Sequence, residues 1–137
     1  MKIWHVILAI LLSPVLVYAQ EHSDAVEAAK LGVIEKLYNA GGDHFRSQLS
    51  ARGLSEDEVE NVLFEAIDAY ALCVVLAAQA QAHEQGLSEE VILKGVGNKT
   101  RGKEESLILL SLDTDALDVK RAPCKEALSN KLGTTVQ

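Results

Sequence analysis

Cys73 and Cys124 are the only cysteines in this 137-residue chain, and the chemistry open to them depends on compartment. In an oxidising compartment an even count favours pairing, and two cysteines allow one intramolecular bond. Closing a loop of about fifty residues stabilises a fold by on the order of 4 kcal/mol in the chain-entropy picture. A catalytic dithiol would have its sulfurs close in sequence, as in C-x-x-C, so the expectation here is a structural cross-link.

The other reactive side chains fail as sites on spacing. His83-Glu84 begins like the zinc motif H-E-x-x-H, but Leu87 stands where the second histidine belongs. His22 and His44 fall on separate segments, so no pair of ligands four apart exists. Asp113, Asp115 and Asp118 are spaced like the start of a calcium loop, which requires glycine sixth and glutamate twelfth. Those places hold Asp118 and Cys124. Gly97 to Lys103 has the glycine and lysine spacing of a phosphate-binding loop, yet Glu104 replaces the magnesium-binding hydroxyl and no strand precedes it. No G-x-S-x-G is present. The residues therefore assign no catalytic site, no metal site and no cofactor.

The glycine-containing segment retains one property. Lys94, Lys99, Arg101 and Lys103 place four positive charges within ten residues of a chain with 13 Lys plus Arg against 20 Asp plus Glu. A solvated linker accounts for such a loop; a basic contact for an anionic partner is the sharper reading. Asn98-Lys99-Thr100 is also an N-glycosylation acceptor where the host glycosylates.

These residues need elements to position them, and the first 19 residues are not among those elements. Lys2, the apolar run Ile3 to Leu16 and Val17-Tyr18-Ala19 follow the three-part pattern of a cleaved signal peptide. Processing would leave a domain of residues 20–137 without tryptophan or methionine. Removing Lys2 leaves 12 basic against 20 acidic residues, a formal charge of −8. That balance disfavours nucleic acid and anionic lipid as partners. The product is expected to be soluble, periplasmic or extracellular, and folded around one core.

The segment after residue 19 is rich in Ala, Leu and Glu and lacks period-two alternation, which predicts an all-α bundle around one long central helix. Helices are expected from Ser23 to Asn39, ended by Gly41-Gly42, and over 43–51, with Phe45 and Leu49 on one face. The central helix should start at the Ser55 cap with Glu58 completing a capping box, and stop at Gly86. Another runs from Ser88 to Gly95 and one from Lys103 to Lys120 with Leu107, Leu110 and Leu117 inward. The last has Pro123 in its first turn and stops at Gly133. Gly86-Leu87-Ser88-Glu89 repeats Gly53-Leu54-Ser55-Glu56 as the same stop-and-start punctuation.

The central helix is apolar on all sides from Ala69 to Ala78. Either neighbouring helices enclose it there, or Leu72 and Val75 form an exposed apolar patch that a partner or ligand covers. Two functions fit these features: a non-catalytic protein-binding module, and a carrier of a small apolar ligand within the bundle near Cys73.

Overall fold

The computed structural model describes residues 23–98 and 102–133. Among them are five helices and no strand: α1 (Asp24–Ala51), α2 (Glu56–Glu84), α3 (Glu89–Gly97), α4 (Lys103–Leu110) and α5 (Thr114–Leu132). Residues 1–19, the expected signal peptide, lie outside the described residues. The helix α2, 29 residues or about 43 Å long at 1.5 Å per residue, is the central element. It packs against α1, α3 and α5, while α4 rests on α3. By length and composition α2 could cross a membrane, a property it shares with core helices of bundles.

Local hydrogen bonding sets most helix boundaries. The hydroxyls of Ser23, Ser55 and Ser88 accept from the backbone N–H groups of Val26, Glu58 and Val91, at 3.2, 3.3 and 3.4 Å. Left-handed glycines occur at Gly53, Gly86 and Gly133, at the ends of α1, α2 and α5. Beyond α2, Leu87 N–H donates to the Ala82 carbonyl and Gly86 N–H to that of His83, the paired bonds of a Schellman stop.

Gly41-Gly42 does not end a helix: α1 runs through both glycines to Ala51. Two interior glycines cost about 2 kcal/mol in helix propensity. The turns beyond them bury Leu49 completely beside Val59 and Leu63 and pack Phe45 on the same cluster. Full burial of such a side chain is worth about 1.5–3 kcal/mol each, so packing outweighs propensity. Arg46 adds a link to α2, its Nε donating to Glu60 Oε1 at 2.6 Å.

The expected helix from Lys103 to Lys120 is two helices, broken at Ser111-Leu112-Asp113. Asp113 caps α5 by accepting from Ala116 N–H at 3.1 Å. Gln85, at the end of α2, serves both sides of the break: its amide donates to the Ser111 carbonyl at 3.0 Å and its oxygen accepts from Asp113 N–H at 2.7 Å. Leu112 is thereby turned into the cluster of Ala78, Ala82 and Ile92.

Two corrections follow from that break. Pro123 lies inside α5, not in its first turn. It is exposed, as is Val119 four residues earlier at 74%, whose carbonyl it cannot pair with. Leu107 and Leu110 point outward, 57% and 82% exposed, and α4 instead packs the half-buried Ile108 and Leu109 against the core. The reason is a notch at Gly95: a Cβ there would lie 2.6 Å from Leu109 Cδ1, so Leu109 determines which face of α4 meets α3. Leu117 packs against the same cluster as expected.

The core forms three linked clusters. The first joins Leu49 of α1, Leu63 and Ile67 of α2, and Leu128 and Leu132 of α5. The second joins Val26, Ala29 and Val33 of α1 to Ala71 and Val75 of α2 and Leu93 of α3. The third lies where α2, α3, α4 and the start of α5 meet.

Candidate functional site

Cys73 of α2 and Cys124 of α5 are disulfide-bonded, with Cα atoms 5.7 Å apart. The bond pins the middle of α5 to the middle of α2. Below it, Arg52 Nη1 donates to the Leu132 carbonyl at 2.8 Å, and above it Lys120 Nζ donates to Gln81 Oε1 at 2.7 Å and Glu84 Oε2 at 2.9 Å.

Leu72 and Val75 do not form an exposed patch. Val75 is completely buried in the second cluster and Leu72 is partly buried against it. Enclosure of α2 is nonetheless incomplete. With α1 on one flank and α5 on the other, a third side stays open along Ala69, Leu76 and Ala80, all of which are exposed. These positions fall within about 40° of one another on the helix.

Of the four basic residues, the structure describes Lys94 and Lys103; Lys99 and Arg101 lie outside the described residues. Lys103 is exposed at the first position of α4. Lys94 sits in the last turn of α3, 3.5 Å from Glu90 one turn earlier, and it borders a cleft.

That cleft follows from how closely α1 and α3 cross. A Cβ on Gly32 would overlap the Gly97 carbonyl, and one on Gly97 would lie 2.6 Å from Ala29 Cα. Only glycine allows this approach. Lys36 Nζ secures it by donating to the Val96 carbonyl at 2.7 Å, placing a cation at the negative end of α3. Beside the crossing, Ala25 and Ala28 are too short to fill the space before Leu93. The result is an open cleft of about 170 Å³ with Glu90, Lys94 and Asn98 as its polar rim.

Its walls were missed in the sequence because alanine and glycine carry no chemistry. The available signal was spacing: Ala28 and Gly32, like Ala25 and Ala29, stand four apart on one helix face.

The remaining candidates stay apart. His83 Nδ1 lies 3.8 Å from Glu89 Oε1 on the surface, and His44 stands beside Phe45 on α1. Among the described residues no three His, Cys, Asp or Glu side chains converge as a metal set would. Shifted titrations mark packing between α1 and α2. Lys30 is raised above its ordinary value of 10.5, chiefly by its hydrogen bond to Glu27, against a loss from burial and with help from Asp68. Tyr38 is raised by burial and by the nearby Glu60 charge, partly offset by Arg46.

The cleft is thus where the structure brings a residue of the basic group together with a concave apolar surface. No protein-family model, curated protein or solved structure matches the chain.

Proposed function

We propose that this chain is a small exported, non-catalytic protein-binding module, with residues 1–19 acting as its signal peptide. The periplasm or the extracellular medium would be its compartment. The α1–α3 cleft with Lys94 at its rim, together with the basic segment that Lys94 begins, would be its contact surface. One observation carries the reading: a cleft of about 170 Å³, walled by small residues, lies beside Lys94 at the head of the basic segment. Such a recess accepts an apolar side chain from a partner protein, while Lys94, Lys99, Arg101 and Lys103 steer an anionic surface toward it. The disulfide suits an oxidising compartment.

The carrier reading calls for an enclosed cavity near Cys73. The space there is about 40 Å³, against roughly 300–1,000 Å³ for ordinary small-molecule sites. The larger cleft is open at Ala25, Ala28 and Asn98, which suits a protruding side chain better than a sequestered ligand.

Affinity capture from the protein's own exported fraction tests the proposal. Ala28→Phe, at an exposed position, fills the cleft; replacing Lys99, Arg101 and Lys103 by Ser removes the charge. Both variants should keep the wild-type melting temperature and weaken retention at low ionic strength. Unchanged retention by both would defeat the binding-surface reading. A melting temperature raised by benzene-sized ligands in wild type and Ala28→Phe alike would support the carrier near Cys73 instead.

A further inference from the structure

We propose that Cys73 Sγ is a site of thiol–disulfide exchange in the folded protein, taking a low-molecular-weight monothiol as its substrate. The two cysteines of the cross-link differ in burial. Cys124 is 1% exposed, sealed on the buried side of α5, whereas Cys73 is only partly buried. A cavity of about 40 Å³ opens at the bond, room for a small group, since a single water needs about 10–15 Å³ of such space. Its outer walls are Ala69 and Ala127, both exposed and both too short to close it, and Lys131 stands at its edge. A cation there favours the approach of a thiolate.

The reaction balances without any other reagent. The incoming thiolate forms a bond to Cys73 Sγ as the Cys73–Cys124 bond breaks. The bonding pair passes to Cys124 Sγ, which leaves as the thiolate and takes a proton from water. The product is a mixed disulfide on Cys73 and a thiol at Cys124.

The fold does not need the cross-link in order to hold α5 during this step. Leu128 and Leu132 stay buried in the first cluster, and the Arg52 and Lys120 contacts brace the helix on either side of the bond. Cys124 therefore stays within reach of Cys73, and re-closure expels the bound thiol. A cross-link of this kind opens and closes in the native state and follows the thiol level of its surroundings.

The test uses the folded, oxidised wild-type chain with glutathione as the monothiol. Samples are quenched with acid, which stops exchange by protonating thiolates, and then peptide-mapped. Glutathione should be found on Cys73 in about tenfold or greater excess over Cys124, as access dictates. The rate of its appearance should be insensitive to low concentrations of urea. Ala127→Leu, which narrows the opening, should slow the reaction severalfold at unchanged melting temperature. Ala80→Leu, exposed on α2 away from the cavity, should leave it as in wild type. Glutathione shared equally between the cysteines, a rate that climbs with urea as global unfolding does, or an Ala127→Leu variant as reactive as wild type would each overturn the proposal.

Discussion

The end of the bundle where α1, α2 and α5 meet and the end formed by α3 and α4 are built differently. At the first, Leu49, Leu63, Ile67 and Leu132 are fully buried, the helices are long, and a disulfide joins two of them near mid-length. At the second, helices of nine and eight residues dock through glycine notches at Gly97 and Gly95, and two leucines of α4 face solvent. Neither helix reaches the length of about 12–15 residues at which isolated helices become even marginal in water. Contacts therefore hold this end in shape. Its local stability should be the lower of the two, as is usual for surfaces that bind. The cleft lies on the side that can adjust, and the cross-link on the more tightly packed side.

The largest effect is expected in the first region. Leu63→Ala removes a completely buried side chain from the contact of α1, α2 and α5 and should lower stability by about 2–5 kcal/mol. Chemical denaturation followed by circular dichroism measures this. A loss under about 1 kcal/mol would mean that the site collapses freely, and the contrast between the two ends would fail.

The glycine notches give the next test, with a sign opposite to propensity. Gly32→Ala gains up to about 1 kcal/mol as a better helix former, but its methyl would overlap the Gly97 carbonyl. Overpacking of this kind costs about 1–3 kcal/mol, so the variant should be destabilised. Its fastest hydrogen exchange should appear in α3 and α4 rather than in α5. A stabilised Gly32→Ala protein would show that α1 and α3 do not cross this closely.

Alkaline pH probes the seam between α1 and α2. Lys30 contacts Glu27 at 3.1 Å and Asp68 at 3.3 Å, and its raised value means the native state keeps that proton longer than the unfolded chain does. Its contribution is complete below pH 10.5 and is lost as pH rises through the native value. Tyr38 acts in the same direction above pH 10.0, because the unfolded phenol ionises first. Urea midpoints should fall above pH 10, and Lys30→Met should make that fall shallower. If the variant shows the wild-type slope, Lys30 does not hold the seam.

Features that depend on neighbouring residues could be read from the sequence, and features that depend on distant ones could not. The caps at Ser55 and Ser88 and the stops at Gly86 and Gly133 are hydrogen-bond geometries completed within a few positions. Gly41-Gly42 misled because a local cost near 2 kcal/mol meets the burial of Leu49 against residues of α2 and α5. The break before α5 was hidden because its partner, Gln85, lies 26 residues before Ser111. Of the candidate site, Lys94 was legible as a charge. The cleft beside it was not, since a void between helices depends on how closely they cross, and that depends on what Gly32 and Gly97 lack.

The smallest effect should come from α4. Leu110 is 82% exposed, so Leu110→Ser removes little buried apolar area, and the change should stay within about 0.5 kcal/mol. Serine is a weaker helix former than leucine by a few tenths of a kcal/mol, which would register first as faster exchange of α4 amides. The same substitution at Leu109, which fits the Gly95 notch and packs against the third cluster, should cost more and loosen α3 as well. The pair isolates which face of α4 is held. Equal losses at the two positions would show that Leu110 is covered in solution, either by a second copy or by movement of α4, and the second region would then be better packed than its exposed leucines indicate.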